Sequence, residues 1–244
     1  MTVLSPYTLA TRPGCYDTGS ASARNTAQTV PLPANGVAYV QPIPTSGPNA
    51  TVIDTCPAQV AGYPQAGDST PYDCRAGDLF IEGTLRGKLT LAADNNVTIT
   101  EDVVYQGGHG GSDVLGLVAN NLVQIYHPVT CTNGTYPCDI GAGGATNLPV
   151  TGVAPLGDIQ IDAAILSLRH CFTVQNWQTG PKGGVRRVFG AIAQKFGAIS
   201  SYAGQTGYDD AFNYDRRLLA QPPPYFLTPE DAAWQAVKLW EQPG

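Results

Sequence analysis

Leu89-Thr90-Leu91-Ala92-Ala93-Asp94-Asn95-Asn96-Val97-Thr98-Ile99 lines up without a gap on Leu115-Gly116-Leu117-Val118-Ala119-Asn120-Asn121-Leu122-Val123-Gln124-Ile125, 26 residues later. Each copy reads as strand, Asn-containing turn, strand, and the alternation of Leu89, Leu91, Val97 and Ile99 with small or polar residues gives each strand one buried face. A repeat of this length is what one coil of a parallel β-helix needs, because each coil covers the next and inward apolar residues stack. The asparagines then fall at a bend, where Asn tolerates left-handed geometry and its amide can bond along the stack. Leu79, Ile81 and Leu85 continue the texture upstream. Ile159-Gln160-Ile161-Asp162-Ala163-Ala164-Ile165-Leu166 and Val188-Phe189-Gly190-Ala191-Ile192-Ala193 read as further coils, separated by inserted loops 128–157 and 175–184. The expected fold is all-β, a right-handed parallel β-helix (solenoid) over residues 77–200. The alternative is a β-sandwich with two similar strand pairs.

The flanks differ in composition. Residues 1–76 are rich in Pro, Gly, Ser and Thr, with Gly36-Val37-Ala38-Tyr39-Val40-Gln41 as their clearest apolar segment, and read as an irregular, disulfide-tied lead-in. Residues 201–244 read as a C-terminal arm: the Pro222-Pro223-Pro224-Tyr225-Phe226 stretch is expected to be extended polyproline that packs Tyr225 and Phe226 onto the solenoid. Thr228-Pro229-Glu230-Asp231 has the signature of a helix start, and Trp234 to Glu241 is expected to form one helical turn followed by a closing strand.

Composition excludes several functions. Charged residues are 13% of the 244, about half the usual share, so Thr, Ser, Asn, Gln and Gly must cover the surface. The 13 basic residues are scattered and the net charge is −6, so no basic stripe for phosphate exists and nucleic acid is not an expected partner. There is no run of 18 apolar residues, and the first six residues lack the regions of an export signal. The single Met, Met1, fits a start codon added to an excised domain, so any membrane link would run through a segment this chain lacks.

Six cysteines point to an oxidising compartment and permit 15 pairings. Cys131 with Cys138 is favoured because Asn133-Gly134 turns the loop between them, a closure contributing about 2.5 kcal/mol by chain entropy. Cys56 with Cys74 comes second, and Cys15 and Cys171 are left by elimination. No C-x2-C spacing supports zinc, and no metal or cofactor is expected.

Nor does the sequence anchor catalysis. Asp158 and Asp162 share a strand face about 13 Å apart, too far for glycoside hydrolysis, which needs roughly 5–9.5 Å. Asp113 with Asp139 is a pairing that loops would permit. His109, in Gly107-Gly108-His109-Gly110-Gly111, reads as an exposed loop residue. No two histidines have metal-pair spacing, Ser112 is not in a nucleophile elbow, and the glycines do not form a P-loop. The sequons at Asn49, Asn96 and Asn133 read as chance.

The order of Gly77-Asp78-Leu79-Phe80-Ile81-Glu82-Gly83-Thr84-Leu85-Arg86-Gly87, Ala92 to Ile99, Asp113 to Asn121, Asp162 to Leu166, Tyr214-Asp215-Arg216-Arg217-Leu218 and Pro223-Pro224-Tyr225-Phe226 resembles an uncharacterised domain of bacterial, often actinobacterial, exported proteins of prepilin-like or PilX-type pilus-assembly kind. The resemblance covers about residues 77–240. It implies a β-helical ectodomain on the cell envelope or a filament and brings no catalytic residues with it. This chain departs from the pattern in lacking the anchoring segment. The expected function is therefore a non-enzymatic extracellular or envelope-exposed domain for filament assembly or adhesion. Its expected partners are pilus or envelope proteins, further copies of itself, or surface carbohydrate. Loops 105–114 and 128–157, with His109, Asp113, Asn133 and Tyr136, would be the contact regions. The alternatives are a polysaccharide-processing enzyme and an endwise-polymerising scaffold.

Overall fold

The computed structural model describes residues 1–3, 28–42, 75–135, 137–147 and 157–227. Two short strands, β1 (Thr2–Val3) and β2 (Gln28–Thr29), pair antiparallel. Then come β3 (Val37–Val40), β4 (Leu79–Leu85), β5 (Lys88–Ala93), β6 (Val97–Tyr105), β7 (Val114–Ala119) and β8 (Val123–Ile125). A small antiparallel hairpin follows, β9 (Val129–Cys131) with β10 (Ala145–Asn147). The chain goes on through β11 (Ile159–Ser167), β12 (Phe172–Val174), β13 (Val185–Gln194) and β14 (Asp209–Tyr214) to a short 3-10 helix, Arg216–Leu219.

Ten of these strands form one large sheet in which every ladder is parallel. A β-sandwich is built from antiparallel sheets, so the sandwich alternative is corrected here. The matched segments pair directly: Leu89 stands beside Leu115, Leu91 beside Leu117 and Val97 beside Val123, which is the 26-residue offset of the sequence. The register runs in three rows. One passes from Ile81 through Ile99 and Ile125 to Val174. A second links Gly83, Val103, Ile161, Val188 and Phe212. The third joins Ala38, Leu91, Leu117, Ile165 and Ile192. Strands β4, β6, β11 and β13 each serve two rows, the first two turning at Gly83 and near Glu101, where the β4–β6 register slips.

Residues of all three rows meet in one apolar cluster, which includes Ile99, Val103, Leu117, Ile125, Ile161 and Phe172. Each such side chain removed from water stabilises the fold by about 1.5–3 kcal/mol. At the β14 end the apolar column changes character: Arg186 stands in register between Ile159 and Asp210. Its buried guanidinium lies 4.4 Å from the Phe172 ring centre and 2.7 Å from Asp210 Oδ1. Burial pulls its pKa down, the adjacent carboxylate opposes that, and the guanidinium stays charged.

The bend asparagines do bond along the stack. Asp78 Oδ1 accepts from Asn95 Nδ2 at 2.8 Å and from the Asn96 amide at 2.9 Å, and Asn121 Nδ2 donates to Asn96 Oδ1 at 3.0 Å. They do so without left-handed backbone, however, which among the described non-glycine residues occurs at Asn176, Ala203 and Tyr225. The side chains, not a special φ, make these bends.

Three expectations need correction. The sheet outruns the 77–200 limits at both ends, taking in β3 from the lead-in and β14 from the arm. The proline stretch is not extended: Phe226 N–H donates to Pro223 O at 3.1 Å, closing a turn. Within it Phe226 packs beside Val114, Ala164 and Leu218, while Tyr225, expected to pack, is 84% exposed at φ 54°. The helix start at Thr228 and the Trp234 to Glu241 segment lie outside the described residues.

Candidate functional site

The glycine-rich turn between β6 and β7 is tied to the sheet by several side chains. Asp113 folds it: Oδ1 accepts the Gly87 amide and Oδ2 the Gly107 amide, each at 2.7 Å, and these two main-chain donors hold its carboxyl below the usual range. Gly87 and Asp113 are one repeat apart, so the contact ties adjacent rungs. Asp113 is therefore buried, not displayed on a contact loop.

His109 crowns the loop and is not idle. Its ring stacks on Phe189, with centres 3.8 Å apart and planes 12° from parallel, and Nε2 lies 3.0 Å from Asp162 Oδ1. The His109 side chain is 51% exposed while that of Asp162 is 3% exposed. Asp162 also accepts Gln160 Nε2 at 2.6 Å and the Tyr105 amide at 3.0 Å. Beside it Arg217 binds the buried Asp215 through Nη2 at 2.7 Å, donates from Nη1 to Gly111 O at 2.6 Å, and lies over the Tyr105 and Phe189 rings at 5.2 and 5.4 Å. The Tyr105 hydroxyl accepts the Leu115 amide at 3.2 Å, and burial pushes its pKa up to about 12. It stays protonated at every physiological pH.

The buried carboxylate orients the half-exposed imidazole through Nε2, and Nδ1 carries no hydrogen bond among the described residues. Such a pair can exchange a proton at Nδ1 and equally clips the loop to the sheet. Asp158, by contrast, is exposed, accepting the Val185 amide and pairing with Arg187, so Asp158 and Asp162 are no acid couple. Among the described residues no group of three His, Cys, Asp or Glu has the arrangement of a metal site.

Residues 126–147 form the second candidate. Cys131 and Cys138 are disulfide-bonded, and Asn133, exposed in the loop they close, accepts the Thr135 amide at 2.9 Å. Tyr136 lies outside the described residues, as do Cys15, Cys56 and Cys74. Cys171, left to Cys15 by elimination, is a free thiol instead. The hairpin is fastened to the next insertion: Thr179 Oγ1 donates to Asp139 O at 2.7 Å and the Gly141 amide to Gln178 O at 2.9 Å. His127, buried beneath, reaches Gln175 O with Nδ1 at 3.0 Å and Asn147 Oδ1 with Nε2 at 3.1 Å.

Burial lowers the His127 pKa more than those two contacts raise it. The unfolded chain, with an imidazole near 6.5, then binds more protons below that pH. Stability is accordingly full above about pH 6.5 and falls as the pH drops towards the depressed folded value. In His127→Gln the part of the decline that sets in below about pH 6.5 should shrink, as read by urea midpoints at each pH.

Asp162 and Phe189 went unrecognised in the sequence as partners of His109, as did Tyr105, Asp215 and Arg217 in the network beside them. The one signal was Asp162 itself, a carboxylate followed without a break by Ala163-Ala164-Ile165. That marks a strand buried on both faces, where an acid must find donors.

Comparison with protein-family models, curated proteins and solved structures gives no match to this chain. Among the described residues no helix is long and apolar enough to cross a membrane.

Proposed function

We propose that the three rows of parallel register are the faces of a right-handed β-helix, and that this solenoid is a rigid, non-enzymatic display domain of a pilus-like or envelope-anchored bacterial surface protein. The observation that carries the reading is the bracing of the 126–147 insertion. A disulfide, an antiparallel hairpin and bonds to the 175–180 segment hold an irregular loop on a continuous parallel sheet. Rigid presentation of a loop lowers the ordering cost of binding a partner, and a disulfide persists outside the cytoplasm.

Asn133 and Ile140 are exposed on that insertion. Asn133→Arg combined with Ile140→Asp is expected to leave stability within about 1 kcal/mol of wild type, while retention on purified filaments or envelope fractions falls at least tenfold. Unchanged retention would remove the assignment.

One observation favours a second reading, an acid–base enzyme acting on polysaccharide: the orientation of His109 by buried Asp162. Asp113, tied up by main-chain amides, is the wrong anchor for it. Reducing ends released from a polysaccharide panel, and lost in His109→Ala, would establish the enzyme against the display domain.

A further inference from the structure

The outer surface of the third row holds a shallow groove that is already occupied by a peptide. Its floor is Thr90, Gly116, Ala164 and Ala191, which stand side by side on β5, β7, β11 and β13. Residues Pro223 to Phe226 lie in it. A methyl group placed on Gly116 would come within 2.7 Å of Phe226 Cδ2 and 3.0 Å of Pro223 Cβ, and one on Gly36 within 2.8 Å of Pro224 Cγ. Two glycines 80 positions apart thus leave room for one short segment. Thr90, itself buried, donates its hydroxyl to the Pro224 carbonyl, and Ala164 is covered together with Val114 and Leu218. Tyr225, Leu219 and Leu227 stay exposed, so the arm is held by few side chains.

We infer that this groove is a peptide-binding site for a Pro-Pro-x-aromatic segment, closed in cis by the chain's own arm and able to take the same segment from a second copy. The occupant is identified by what lies there: prolines seat against the two glycine positions, the aromatic ring fills the Gly116 site, and the Thr90 hydroxyl reads a main-chain carbonyl. Proline-rich segments suit such a role because little conformational freedom is lost on docking. In the single chain the tethered arm is present at an effective concentration in the millimolar range, which keeps the groove shut against weak competitors. Two copies that exchange arms keep every groove contact and need only a different path through Ala220-Gln221-Pro222, at the expense of the two amide bonds from Ala220 and Gln221 to Arg217 O. The inference does not depend on the display role.

Complementary variants of the full chain test it. Phe226→Ala has an open groove and a defective arm; Gly116→Val has a blocked groove and an intact, displaced arm. A fluorescent peptide of residues 218–227 should bind Phe226→Ala at least tenfold more tightly than wild type, whose groove is filled, and should not bind Gly116→Val. Sedimentation velocity should show each variant alone as a monomer and their equimolar mixture as a heterodimer. Hydrogen-exchange protection of the β5–β7 ladder amides reports that the sheet is intact. Should Gly116→Val lose it, Thr90→Arg blocks the same groove. Peptide binding no tighter for Phe226→Ala than for wild type, or a mixture that stays monomeric, would overturn the inference.

Discussion

Leu117→Ala is expected to cost about 3–5 kcal/mol of unfolding free energy, which for a chain of this size lowers the melting temperature by roughly 6–20 °C. Leu117 is 0% exposed, at the centre of the row Ala38, Leu91, Leu117, Ile165, Ile192. Rungs lie on both sides of it, so neighbours cannot move in to fill the hole left by the lost carbons. Ile192, in the last rung of the same row, is only partly buried, and Ile192→Ala should cost about half as much because water already reaches it. Denaturant titration of the two variants checks both the size and the order. Equal losses would mean that the row is not a continuous column.

Asp215→Ala should have the second largest effect, about 2–4 kcal/mol, discounted from the roughly 3–5 kcal/mol for breaking a fully buried pair because the Arg217 side chain is 22% exposed. Asp215 is wholly buried, accepts both the Arg217 amide and its guanidinium, and caps the 3-10 helix. Its loss leaves the cation held by Gly111 O and two aromatic faces. The damage should be local: amide exchange should quicken in residues 106–113 and 216–227 first, with the β5–β7 ladder following only near global unfolding. Asp215→Asn, which keeps an acceptor oxygen, should lose less.

The parts of the fold legible in sequence are those built by the repeat. Matching Leu89 to Leu115 and Val97 to Val123 gave the correct ladder partners because nothing is inserted between those two rungs. The next rung was recognisable but could not be registered: Ala164 pairs with Gly116, 48 positions back, since the insertion after β8 spoils the spacing. The second row left no trace in periodicity because single strands, β6 and β11, bend to serve two faces. The Asn column was anticipated for its side-chain bonds and mistaken in its backbone. At the candidate site His109 was visible as the one non-glycine residue among Gly107, Gly108, Gly110 and Gly111, yet its partners were not. Asp162 lies 53 positions away and Arg217 reaches Gly111 from 106 positions away. Only stacking brings them together, and side-chain pairing across rungs leaves no local pattern.

Arg186 sets a limit on how this protein can lengthen. A gene duplication that added a strand beyond β14 would cover the guanidinium and Asp210 with a further apolar layer, whereas one placed between β7 and β11 would meet apolar side chains such as Leu117 and Ile165 on both sides. Growth of the parallel sheet, natural or engineered, is therefore expected to be directional, easier among its central strands than next to the Arg186–Asp210 pair.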